Sequence, residues 1–97
     1  MVNQKRTIEG SQRFVFASDT LFQTLEEESI IVNLKTENIF GLNETGSVIA
    51  SYISEEMSYG EMIEALINNY MVSTEEVERE TTEILSNLIN HGLILKK

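Results

Sequence analysis

Apolar residues recur along this chain at two periods, and the change falls at Asn43. Before it stand three short apolar runs with β-branched or aromatic character: Leu21-Phe22-Gln23-Thr24-Leu25, Ser29 to Leu34 (SIIVNL) and Ile39-Phe40-Gly41-Leu42. Runs of that length, divided by polar residues, predict strands. The connections Glu26-Glu27-Glu28 and Lys35 to Asn38 are too short for a crossover, so the strands form an antiparallel meander in the order 1-2-3. Asn38 is the residue expected to turn left-handed in the second connection. Upstream, Arg13-Phe14-Val15-Phe16 reads as a further strand or an apolar arm, and the first ten residues as a frayed end.

After Asn43 the apolar residues fall three and four apart, the spacing of one helix face. Asn43 caps a first helix carrying Val48, Ile49, Tyr52 and Ile53. Ser58-Tyr59-Gly60-Glu61 is a capping box, with Met57 and Met62 at the staple positions around it. It opens a second helix with Ile63, Leu66, Ile67 and Tyr70 inward. A second box, Ser73-Thr74-Glu75-Glu76, opens the longest helix, with Val77, Thr81, Ile84, Leu85, Leu88 and Ile89 inward. Gly92 follows as a helix-ending glycine, and Leu93-Ile94-Leu95 packs back or adds a short strand. The expectation is an α+β, winged-helix-like domain, a three-stranded antiparallel sheet followed by a three-helix bundle. Residues 13–97 form the domain and residues 1–12 a flexible N-terminal arm.

Composition narrows what such a domain can do. The chain has 97 residues and no cysteine, which excludes a disulfide framework, a thiolate nucleophile and cysteine metal sites. No stretch of about eighteen apolar residues occurs, and MVNQKRTIEGSQ lacks the apolar core of a secretory signal. No membrane partner and a cytoplasmic location are expected. Sixteen acidic residues against seven basic ones give a net charge of −9. The bases gather at the ends (Lys5, Arg6, Arg13, Lys96, Lys97), whereas residues 54–90 hold nine glutamates and only Arg79. Such a surface repels phosphate and attracts basic partners, or simply keeps the chain soluble.

Catalytic chemistry is scarce. His91 is the single histidine, at a helix end beside a glycine, where a surface or charge–dipole role is expected. No calcium-loop spacing and no glycine-rich phosphate loop occurs, and no base stands ready to activate a serine. Met57, Met62 and Met71 read as core filler. The chain is expected not to be an enzyme and to need no cofactor or metal. Its winged-helix outline raises nucleic-acid binding, but the helix that would enter the groove begins STEEVERETTE, five glutamates against one arginine. A phosphate-facing helix carries the opposite sign, so no nucleic-acid partner is expected.

The third strand carries the better lead. In a 1-2-3 meander it is an edge, and edges are normally defended by charge or proline. Asn38 to Leu42 has neither, and Gly41 presents no side chain to an incoming backbone. An undefended edge beside a helix suits strand addition by a peptide. The alternative is that the N-terminal arm or a second copy covers it.

The order meander, IFGLNETGSVIASYI, SYGEMIEALINNYMVSTEEVERETTEILSNLINHGLI resembles the pyrroloquinoline quinone synthesis protein D-like family over about residues 14 to 95. Its most specific motif is Leu42-Asn43-Glu44-Thr45-Gly46. The chain departs from the family at Ala50 or Ser51, where a large aromatic is usual, and at Tyr52 and Ile53, where leucines follow. Members are precursor-peptide recognition elements of ribosomally made, modified peptide pathways. The resemblance implies a non-catalytic protein that binds a precursor's leader as an extra strand and presents it to a separate maturation enzyme. That enzyme would be a leader peptidase in a lasso pathway or a radical-SAM protein. Carried over by position, the peptide-binding residues are Asn38, Ile39, Phe40, Gly41 and Leu42 on the strand. On the helix they are Glu76, Glu80, Thr81, Glu83, Ile84 and Asn87, with Glu80 and Glu83 placed for basic leader residues. A winged-helix adaptor for another protein is the alternative function.

Overall fold

Asn43 is where the backbone changes from strand to helix, and its side-chain oxygen accepts from the Gly46 amide at 2.9 Å. That bond satisfies one of the amides a helix start leaves open. The computed structural model describes residues 8–97. Before Asn43 come β1 (Phe14–Phe16), β2 (Thr20–Leu25), β3 (Glu28–Asn33) and β4 (Asn38–Leu42). After it come α1 (Glu44–Ser54), α2 (Tyr59–Tyr70), α3 (Thr74–Asn90) and a short β5 (Ile94–Lys96). The α+β architecture is the one the sequence predicts, with the meander in the order β2-β3-β4.

Register fixes which side chains meet the helices. Phe22, Ile31 and Phe40 stand opposite one another across the three strands, as do Leu21, Val32 and Ile39 on the other face. The first row packs inward, with Ile31 fully buried, against Ile49, Ala50 and Ile53 of α1 and Leu85 and Leu88 of α3. Ala50 is fully buried and occupies the core itself.

Turn chemistry departs from expectation in one place. The left-handed residue between β3 and β4 is Glu37, with φ 65°, and Asn38 is already in the strand. Asn33 decides this. Its side chain accepts from the amides of Lys35 and Thr36 at 2.9 and 3.1 Å, and its carbonyl accepts from Glu37 at 2.7 Å. The turn is thus set early and the reversal falls on Glu37.

The capping box at Ser58 is complete, with Glu61 Oε1 accepting from the Ser58 amide at 2.8 Å and Ser58 Oγ accepting from the Glu61 amide at 3.2 Å. The box at Ser73 is half made: Ser73 Oγ accepts from the Glu76 amide at 3.2 Å, and the return bond is absent among the described residues. Met62 is fully buried and Met57 packs beside the core, but Met71 is 92% exposed. It ends α2 in a left-handed conformation, φ 54°, which takes its side chain off the buried face. Tyr70, expected inward, is likewise exposed.

The first and last strands are fastened to each other. At the end of α3 the Leu93 amide reaches the Leu88 carbonyl and the Gly92 amide the Ile89 carbonyl, both at 2.9 Å, with Gly92 at φ 70°. This Schellman closure turns Leu93 and Ile94 into the core and lets β5 pair antiparallel with β1. Of the predicted arm, residues 1–7 lie outside the described residues. Within 8–12, Ile8 packs against the core and the Gly10 carbonyl accepts from the Gly60 amide at 2.9 Å. A Cβ on Gly60 would sit 3.2 Å from that carbonyl oxygen, which is why a glycine stands second in α2.

Arg13 and Lys97 have partners at the α1–α2 junction. Lys97 Nζ lies 2.7 Å from Glu56 Oε1, and Arg13 donates to the Glu56 carbonyl and stands 3.6 Å from Glu61. The hydrogen bond from Lys97 lowers the Glu56 pKa, and the bond from the Ser58 amide lowers that of Glu61, each with help from Arg13.

Candidate functional site

Among the described residues, β4 pairs with β3 alone. Its other edge therefore has no strand partner, and β1, which could have covered it, is paired with β5 instead. The edge runs from exposed Asn38 and Ile39 through half-buried Phe40 and exposed Gly41 to buried Leu42. Alternation of the pleat sends Phe40 and Leu42 toward the helices and Ile39 and Gly41 to the outer face.

Beside this edge lies a cleft of about 160 Å³ lined by Phe40, Gly41, Leu42, Asn43, Gly46, Ile84 and Asn87. The structure brings Phe40, Gly41 and Leu42 of the strand and Ile84 and Asn87 of the helix together in this cleft. The other candidates separate from them. Asn38 and Ile39 sit further along the same edge, outside the cleft lining. Glu80 and Thr81 line a larger cavity of about 340 Å³, bounded by Glu44 and Thr45 of α1, Leu66 and Tyr70 of α2, Val72 and Val77. Thr81 is 1% exposed and is first a core residue. Glu76 and Glu83 are exposed on α3 and line neither space. The larger cavity is not the one bordered by the free backbone edge; the smaller cleft is.

Three further residues belong to the site. Asn43 and Gly46 close the cleft at the start of α1. His91 packs on Phe40 with ring centroids 5.0 Å apart, while its Nδ1 lies 2.7 Å from the Asn87 carbonyl oxygen. The position of His91 at a helix end was legible in the sequence. Its approach to β4 depends on how α3 crosses the sheet, which no local signal encodes. Among the described residues no group of three acidic or histidine side chains is placed to hold a metal ion, and no helix is long and apolar enough to cross a membrane.

The family model described as Coenzyme PQQ synthesis protein D (PqqD) matches residues 28–94, from the start of β3 into β5. The chain belongs to the PqqD family. Its fold is also that of "TbiB1 in Complex with the TbiA(beta) Leader Peptide", with a TM-score of 0.79 and 28% identity over 82% of this chain and 93% of that one. A second solved structure, "Lasso peptide synthetase B1 complexed with the leader peptide", matches with a TM-score of 0.78 over 84% of this chain and 96% of that one. At 17% identity it bears on the fold of this PqqD-family chain alone. No curated protein matches the chain.

Proposed function

We propose that this PqqD-family protein is a non-catalytic, cytoplasmic peptide chaperone that captures the leader of a ribosomal precursor peptide as an added strand on β4. The observation that carries the reading is the unpaired β4 edge with a cleft between it and α3. Backbone groups of residues 38–42 supply affinity, and alternate leader side chains enter the cleft over Leu42 and Ile84. The TbiB1 leader-peptide complex, at 28% identity, supports this reading.

Delivery to a separate maturation enzyme is the second half of the proposal. The outer face of the sheet supports it: Leu21, Val32 and Ile39 form a row across all three strands, with Leu21 and Ile39 49% and 67% exposed. Such an exposed apolar row is available for a protein contact. A guest strand on β4 would extend that same face, so an enzyme docking there would meet recogniser and leader together. A lasso leader peptidase is the first candidate, by likeness to TbiB1, and a radical-SAM enzyme the second.

The test is an amide-resonance titration with the leader of a precursor encoded beside this gene. Shifts along residues 38–42 and on the face of α3 bearing Ile84 and Asn87 are expected. Shifts confined to α2, or none, would leave the adaptor reading in its place.

A further inference from the structure

Every pairing within the β2-β3-β4 sheet is antiparallel. A guest that continues this pattern on β4 enters beside Leu42 and leaves beside Asn38. The segment downstream of the paired stretch therefore emerges at the end of the sheet formed by Thr20, Asn33 and Asn38. The last helix finishes on this side too, because His91 at its end packs on Phe40.

The outer face of the sheet changes character from one end to the other. Next to the exit end stands the row Leu21, Val32 and Ile39, apolar on all three strands. One pleat further back the row is Gln23, Ile30 and Gly41. The last pair is Leu25 and Glu28, with Glu26 and Glu27 in the turn behind it. Leu34 leaves β3 at the exit end, 58% exposed, and its amide donates to the Asp19 carbonyl at 2.7 Å beside the start of β2. The Asn33 side chain holds this turn through the amides of Lys35 and Thr36. None of Leu21, Val32, Leu34 and Ile39 belongs to the core or packs against it, so burial does not account for their apolar character. Apolar surface thus collects on a fixed corner where the guest emerges.

We infer that this exit corner, built from Leu21, Val32, Leu34 and Ile39, is where the maturation enzyme docks. The precursor is then handed over at the end of the sheet by which it leaves. The inference rests on the strand-addition reading and adds to it a direction and a place: the enzyme sits downstream of the leader, and the Leu25–Glu28 end of the same face stays free. A net charge of −9 opposes a second copy of the chain or an anionic bilayer at this corner. It favours a neutral or basic protein with an apolar patch of its own. An enzyme held there meets the emerging segment at high effective concentration, because both are fixed to one small scaffold.

The experiment uses the full chain with the precursor and the maturation enzyme encoded beside its gene, and places a charge at either end of the outer face. Leu34→Glu at the exit corner should slow processing at limiting enzyme about tenfold or more, the worth of one buried apolar side chain. Saturating enzyme should restore the rate, since docking alone is weakened. Leu25→Glu at the far end should change processing by no more than about twofold, as for most surface substitutions. Both variants should bind the isolated leader as the parent does. A photoreactive residue placed in the precursor just after the paired stretch should crosslink to the β3–β4 turn, and one placed just before it should not. Equal loss in both variants, or none in Leu34→Glu, overturns the exit corner and leaves strand addition standing. Crosslinks from the upstream probe alone overturn the direction. A parent dimer in sedimentation that Leu34→Glu dissolves, or binding to phosphatidylglycerol vesicles that it abolishes, assigns the corner to a second copy or a membrane and overturns the inference. Backbone N-methylation of the leader, scanned residue by residue, tests strand addition by itself. Without loss of binding at alternate positions, both readings fail.

Discussion

The imidazole of His91 and the ring of Phe40 stand with centroids 5.0 Å apart and planes at 54°, so the last residue of the α3 cap rests on the edge strand. One wall of the cleft is thereby fixed to the other. The Nδ1 contact to the Asn87 carbonyl holds the imidazole in place, and Asn87 itself lines the cleft. His91→Ala should weaken leader binding by about 0.5–1.5 kcal/mol, the range for a tilted aromatic pair, while circular dichroism shows the fold retained. His91→Phe should restore most of the loss. Isothermal calorimetry on the three proteins decides it; equal affinities would show that the cleft width is set elsewhere.

Gly41 has nothing within 4 Å of where a Cβ would stand. Valine at that position is accordingly tolerated by the fold, and its branched side chain crowds the flank on which a guest strand packs. Gly41→Val should leave the melting temperature near that of the parent and reduce leader affinity. Undiminished affinity would mean that the guest does not pass there.

Glu80 and Glu83 stand differently toward the proposed peptide path. Glu80 lines the cavity beside the cleft, and Glu83 faces solvent away from both. Reversal of Glu80 to lysine should slow association with a basic leader more than reversal of Glu83, each by up to about 1 kcal/mol. Stopped-flow rates at low and high salt would show the difference shrinking as the charges are screened. Equal slowing by both reversals would mark a diffuse field in place of a site.

Glu61 closes the capping box of α2, and the bond from the Ser58 amide lowers its pKa. A carboxylate whose folded pKa is depressed stabilises the native state above its unfolded pKa, and that contribution is lost as pH falls through the folded value. Glu61→Gln should therefore be less stable than the parent at neutral pH, with the gap closing below the ordinary carboxylate range. Thermal melts across that range check the sign. A gap that widens on acidification would contradict the assignment.

Leu21 is the member of the apolar row on the outer sheet face that stands farthest from β4, on β2, at 49% exposure. Leu21→Lys should change stability by no more than about 0.5 kcal/mol, as for most surface substitutions, and leave leader binding intact. Leader removal by a peptidase supplied in trans should fall with it. Unchanged processing would exclude that face as the enzyme's contact.

Much of the fold was legible because its signals are local. Asn43, Ser58 and Gly92 each bond to backbone within a few residues, so helix boundaries could be read from sequence order. Short apolar runs divided by polar residues likewise predict the meander and its edge. Where local chemistries compete, the reading slipped: Asn33 captured the turn that Asn38 was expected to make, and Met71 left the core by ending its helix left-handed.

The candidate site divides along the same line. By itself, the sequence determined that β4 is uncharged and lacks proline, that its strand ends at a cap, and that the longest helix is acidic. Those properties belong to neighbours in the chain. The tertiary structure alone decided that β1 pairs with β5 and leaves β4 open, and that His91 closes on Phe40. It also decided that Ile84 and Asn87 share the β4 cleft while Glu80 and Thr81 line another space. Each of these depends on tertiary packing. Leu85 and Leu88 of α3 share one core with Ile31 and Ile49, a sum of long-range contacts that no short stretch of sequence carries.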